Sequence, residues 1–139
     1  MTGYLLDTNV VSALRKRRQG DDYLRLWFSS HQDDEFWLSV LVVGELLRGV
    51  ELIARRDATA ARVLREWLES IIEDFADRIL PITIAISERW AVLSVPDPIP
   101  VVDGLLAATA IEHDLTLVTR NAADIARTGV AYINPFEPE

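Results

Sequence analysis

Four acidic residues stand inside or directly against apolar runs, and few folds accommodate that. Asp7 ends the run Tyr4-Leu5-Leu6. Glu45 interrupts Leu41-Val42-Val43 and Leu46-Leu47, and Asp103 lies among Val101, Val102, Leu105 and Leu106. Asp124 follows Leu117-Val118-Thr119 a few residues on. A carboxylate in apolar company is costly unless something positive shares its site. If the fold brings the four together, a divalent cation is the simplest positive partner.

The spacing of apolar residues says how they can meet. Residues 3–6, 36–38, 78–82, 115–119 and 130–133 are short, mostly apolar runs of strand length. Between them the apolar residues recur at helical spacing. Helices are predicted from Thr8 or Asn9, either of which can cap, to about residue 17, and around residues 23–28. Another begins at the good N-cap Ser39 and carries Leu41, Val42, Glu45, Leu46, Gly49 and Leu52 on helical positions. Further helices are expected over residues 59–77, 85–93 and 101–113, the last with Pro100 in its first turn, and a short one over 121–128 that Gly129 ends. Strands alternating with helices imply an α/β fold: a parallel sheet of about five strands with helices on both faces. At 139 residues this is one domain, residues 1–139, large enough for its own core. The helix over 59–77 has a broad stripe of Leu64, Trp67, Leu68, Ile71, Ile72 and Phe75, a surface on which two copies can pair.

In open parallel sheets, functional residues gather at the carboxyl ends of strands where the strand order reverses. Asp7 ends the first strand and Asp124 follows the fourth, while Glu45 and Asp103 lie within about two turns of helix starts. Four converging carboxylates suit hard cations such as Mg2+ or Mn2+, which prefer oxygen ligands. Such an ion activates a water and stabilises the oxygens of a phosphodiester under attack. Plainer readings exist for two of the four. Asp7 can help cap the helix that follows, and Asp124 falls at a position where a carboxylate suits the helix dipole. Glu45 and Asp103 are harder to dismiss, because apolar residues flank both and leave most helix rotations facing apolar neighbours.

The net charge of −8 runs against a nucleic-acid partner, since phosphate binding wants positive surface. The cations are concentrated, however. Arg15, Lys16, Arg17 and Arg18 form one block, and 13 of the 14 basic residues are Arg, suited to bidentate phosphate contacts. The block also reads as a solvated helix end favoured by the dipole. With no cysteine, disulfide frameworks and thiolate zinc sites are excluded. The most apolar stretch, residues 38–47, is too short to span a membrane, and the N-terminal run lacks a basic leader. A cytoplasmic address is expected, with no membrane partner. His31 and His113 read as surface or helix-end residues, and Trp27, Trp37, Trp67 and Trp90 as core or interface anchors.

With these residues in place, the chain resembles the PIN-domain family, specifically the VapC-like toxins of type II toxin–antitoxin pairs. The matching pieces are Leu6-Asp7-Thr8-Asn9, Gly44-Glu45-Leu46 after Ser39, residues 103–110 beginning Asp103-Gly104-Leu105, and Thr119-Arg120-Asn121-Ala122-Ala123-Asp124. They occur in family order and span most of the chain. The resemblance implies a Mg2+- or Mn2+-dependent endoribonuclease with Asp7, Glu45, Asp103 and Asp124 as catalytic acids, and Asp7, Asp103 and Asp124 as metal ligands. It implies that Asn9 and Thr119 support the site by hydrogen bonding. Apart from the resemblance, Arg15, Lys16, Arg17 and Arg18, on the helix that begins at the site, and Arg120 are candidate RNA contacts. The resemblance further implies a cognate antitoxin, a homodimer, and with the antitoxin a dimer of dimers. Gly104 and Ile125 depart from the commoner Ala and Phe, and neither is an acid. Receiver domains and haloacid-dehalogenase-type phosphatases also place an Asp after the first strand, but both need a late lysine, and the one lysine is Lys16. The phosphatase also wants a second acid where Asn9 stands. A non-catalytic PIN-fold binding module, and a PIN-type nuclease outside a toxin–antitoxin pair, are the alternatives.

Overall fold

The computed structural model describes residues 3–16 and 21–138. Among these, five parallel strands form one sheet: β1 (Gly3–Leu6), β2 (Glu35–Ser39), β3 (Ile79–Leu80), β4 (Thr116–Val118) and β5 (Tyr132–Ile133), in the order β3-β2-β1-β4-β5. Leu5 is level with Trp37 on one side and Leu117 on the other. The helices are α1 (Thr8–Lys16), α2 (Asp22–Ser30), α3 (Val40–Ala54), α4 (Ala58–Asp74), α5 (Ile84–Leu93), α6 (Val101–Glu112) and α7 (Ala122–Ile125). The chain steps from β1 through β2 to β3, then returns past β1 to lay down β4 and β5. Right-handed crossovers therefore put α1, α3 and α4 on one face and α5, α6 and α7 on the other. The packing agrees: α3 rests on α1 and α4, and α6 on α5 and α7. The expected five-stranded α/β sheet is what the chain forms.

Strand sequences without polar alternation are explained by this double cover. Leu5, Leu38, Leu117 and Val118 are buried, and so are Val10, Val42 and Leu106 on the helices that pack over them. Each such side chain contributes about 1.5–3 kcal/mol on leaving water. Caps set the helix starts. Ser39 Oγ accepts from the Leu41 N–H, as expected, and Asp57 and Thr83 do the same for α4 and α5. Thr8 and Asn9 instead lie inside α1. Asp7 precedes the helix, its carbonyl accepting from the Val10 and Val11 N–H groups. The short helix expected over 121–128 is α7 followed by a 3-10 turn at Ala126–Thr128, ended by Gly129 at φ 80°, a backbone conformation that favours glycine.

Along the apolar stripe of α4, Leu68 is buried, and Leu64, Trp67, Ile71, Ile72 and Phe75 pack against the core while remaining partly exposed. Trp27 is buried in a ring cluster with Tyr4, Phe28, His31 and Phe36, its ring 4.3 Å from that of His31. Among the described residues no helix is long and apolar enough to cross a membrane.

Candidate active site

The strand order reverses between β1 and β4, and each ends in a polar residue of one network. Asp7 follows β1 and Thr119 follows β4; Thr119 Oγ1 donates to Asp7 Oδ2 at 2.7 Å and accepts from the Asn121 N–H at 3.0 Å. The other carboxylate oxygen of Asp7 accepts from the Thr8 N–H at 2.6 Å, and Asn9 Nδ2 reaches Oδ2 at 3.5 Å. Asn9 Oδ1 in turn accepts from the Arg120 N–H at 3.3 Å, tying the start of α1 to the chain leaving β4. Asp7 and Thr119 are nearly inaccessible, at 4% and 1% exposure.

The other three acids arrive on helices. Asp103 is half-buried in the first turn of α6 and accepts a hydrogen bond from the Asn121 side chain. Asp124 is exposed in the first turn of α7. Glu45 differs from expectation: it is exposed rather than set among apolar neighbours. Burial on α3 falls on Val42, Leu46 and Val50, which turns Glu45 outward toward α1. There Thr8 Oγ1 donates to its Oε1 at 2.5 Å.

Electrostatics joins the four into one group. Burial pushes the Asp7 carboxyl above its ordinary value; hydrogen bonds from Thr119 and Thr8 pull it back, and the charges of Asp103 and Glu45 raise it again. Burial likewise raises Asp103, against the Asn121 hydrogen bond, with the charges of Asp124 and Glu45 adding to the rise. Among the described residues, no lysine or arginine pairs with any of the four. The donor set is hard oxygen in excess negative charge, which fits Mg2+ or Mn2+. No three acidic or imidazole groups among the described residues stand close enough to enclose an ion by themselves. Magnesium does not need that, since it commonly uses one or two carboxylates and keeps several waters.

Thr8 and Asn121 bond to site carboxylates although sequence reasoning gave neither a role in the acidic site. The available signal was their place beside Asp7 and Thr119. Of the basic residues, Arg15 and Lys16 end α1 and line a cleft with Thr8, Ser12, Glu45, Leu46 and Trp67. Arg15 lies over the Trp67 ring at 5.6 Å. Arg17 and Arg18 lie outside the described residues. Arg120 stands beside Thr119, its guanidinium 3.8 Å from the Phe136 ring centroid.

Known proteins share this fold. The PIN domain family model matches residues 4–130. The chain is similar to toxin FitB of Neisseria gonorrhoeae, 36% identical over 138 residues that cover 95% of this chain and 97% of FitB. It is similar to the VapC ribonuclease Y4jK of Sinorhizobium fredii, 31% identical over 140 residues, covering 96% and 98% of the two. Among solved structures, FitAB bound to an IR36 DNA fragment superimposes with a TM-score of 0.85 at 33% identity, covering 98% of this chain and 97% of its counterpart.

Proposed function

The chain belongs to the PIN-domain family, and from that premise we propose that it is a metal-dependent endoribonuclease acting as the toxin of a toxin–antitoxin pair. The observation that carries the chemistry is the uncompensated charge. Asp7 and Asp103 are strained by burial, each feels two further carboxylates, and no cation among the described residues relieves them. In this reading Asp7, Asp103 and Asp124 would hold Mg2+ or Mn2+ between them, in part through the waters such an ion keeps. A divalent ion there supplies Lewis acidity toward water and the scissile phosphate.

The chain's own residues fix the acids. Thr119 and the Thr8 N–H engage both oxygens of Asp7, and Asn121 orients Asp103. Thr8 occupies Oε1 of Glu45. That leaves Oε2 of this exposed carboxylate to take a proton from the water whose oxygen bonds to phosphorus as the P–O bond to the departing nucleotide breaks. Asn9 acts at longer range, linking the loops that carry Asp7 and Arg120.

The names of the relatives, a toxin and a ribonuclease, support the setting. A cognate antitoxin would lie in the cleft between α1, α3 and α4, whose floor is Leu46, Leu64, Trp67 and Leu68 and whose inner end reaches Thr8 and Glu45. An arginine from the partner could pair with the acids in place of the metal. For a homodimer the better face is α5 and the residues after it, where Ile84 is 78%, Val92 75% and Val95 73% exposed. The chain is proposed to act in the cytoplasm.

The test is cleavage of a labelled total-RNA preparation by purified protein with Mg2+ or Mn2+. Cutting is expected to stop with chelator and in Asp7→Asn and Asp103→Asn variants. Cutting that survives chelation, or both substitutions, would overturn the mechanism.

A further inference from the structure

We propose that Arg120 grips the RNA phosphate next to the scissile one, and that Phe136, in the C-terminal turn, is the residue that positions it. This rests on the ribonuclease reading and adds to it a substrate contact and its support. The backbone places Arg120 at the site. Its neighbour Thr119 binds Asp7, and its own N–H binds Asn9, itself in contact with Asp7. Adjacent Cα atoms are about 3.8 Å apart, so Arg120 leaves the chain one residue from the acidic network.

The guanidinium is held but not used up. Its Cζ lies 3.8 Å from the Phe136 ring centroid, a face contact that leaves the N–H edge pointing elsewhere. Asp21, with its side chain 11% exposed, is 3.9 Å away, too far for a hydrogen bond but near enough to orient the cation. Among the described residues the guanidinium donates no hydrogen bond, and the side chain is 53% exposed. Several other arginines are engaged: Arg89 donates to Glu112, Arg65 to Glu51, and Arg127 to the carbonyls of Asp97 and Pro98. Phe136 is itself anchored. It packs against the core, and its N–H donates to Asn134 Oδ1 at 3.0 Å. An enzyme of net charge −8 that must draw a polyanion to four carboxylates needs such a cation, with free donors, at the edge of the site.

The experiment is fluorescence anisotropy of a labelled single-stranded RNA 12-mer of mixed sequence, titrated over a range of KCl with Asp103→Asn protein, which binds without cutting. In that background Arg120→Ala is expected to weaken binding about fivefold or more and to lower the slope of log K against log salt by about 0.7, the loss of one single-strand phosphate contact. Phe136→Leu, which keeps the apolar packing, is expected to weaken binding about threefold, because the charge remains but its seat is lost. Arg89→Ala, removing an equal charge beside the far end of α6, is expected to leave the slope unchanged. Circular dichroism checks folding. If Arg120→Ala unfolds, Arg120→Lys carries the test, with weaker binding expected at an unchanged slope.

If the parent protein does not bind RNA, the ribonuclease reading fails and the proposal with it. If the parent binds and the Arg120 variants match it in affinity and slope, the Arg120 proposal alone fails. Phe136→Leu binding as tightly as the parent would remove Phe136 from the account.

Discussion

Thr119→Val is the substitution that most sharply separates a wired acidic site from acids that merely lie near one another. Valine keeps the shape of threonine but removes Oγ1, which donates to Asp7 Oδ2 at 2.7 Å and accepts from the Asn121 N–H at 3.0 Å. A hydrogen bond to a charged acceptor contributes about 1.5–3 kcal/mol, and the extra buried methyl returns somewhat under 1 kcal/mol. The net loss is about 1–2 kcal/mol. At roughly 4 °C per kcal/mol for a chain of this size, Tm falls by about 4–8 °C. Because the Thr119 hydrogen bond lowers the Asp7 pKa, its removal raises that pKa further. The penalty is therefore largest where Asp7 is ionised and shrinks as pH falls through the raised value. The assay is urea denaturation followed by tryptophan fluorescence in chelator, so that no metal masks the effect. Thr119→Ser restores the hydroxyl and most of the loss. A Thr119→Val protein within about 0.5 kcal/mol of wild type, below the range for a charged hydrogen bond, would show that the network does not hold Asp7.

Three further outcomes follow from the same contacts. A Cβ on Gly104 would meet Trp90 ring atoms at 3.0 and 3.1 Å, so Gly104→Ala gains about 1 kcal/mol in helix propensity but loses about 1–3 to overpacking, a net loss near 1 by urea denaturation; a more stable variant would contradict this. Leu106→Ala empties a fully buried position under the sheet and is expected to cost about 2–5 kcal/mol in the same assay, with a loss under 1 counting against the packing described. The third concerns pH. The folded chain holds the Asp7 and Asp103 protons more tightly than the unfolded chain, so their contribution to stability falls as pH rises from the ordinary carboxyl value through the raised one. Asp103→Asn is thus expected to be more stable than wild type at neutral pH without metal, with the difference vanishing near about pH 4. A difference independent of pH in paired thermal melts would refute the charge argument.

Much of this was legible in the sequence because two periodicities carry it. Uninterrupted apolar runs announced a sheet covered on both faces, and the helical stripes announced what covers it. Asp7 and Asp103 were legible for the same reason, as charges in apolar context. What the sequence hid was rotation and reach. Glu45 has the same apolar flanks as a buried residue, but which side of α3 faces the sheet depends on the packing of Val42, Leu46 and Val50, which only the fold decides. The α4 stripe has the breadth of an interface and is shared between the core and an open cleft, since a helix cannot signal from its own sequence which neighbour covers it. Thr8 and Asn121 were hidden because a hydroxyl or amide has no periodic signature. Their roles come from contacts between segments as far apart as α1 and α3, or β4 and α6.

The measurement that bears most directly on the central claim is a calorimetric titration of Mn2+ into the metal-free protein, compared with Asp7→Asn and Asp103→Asn. If the acids form one cation site, wild type binds Mn2+ and either substitution weakens binding at least about tenfold, a ligand mattering no less than the groups that orient it. Equal Mn2+ affinity in all three proteins would contradict the account, because the charge that gathers at the ends of β1 and β4 would then not be what holds the ion.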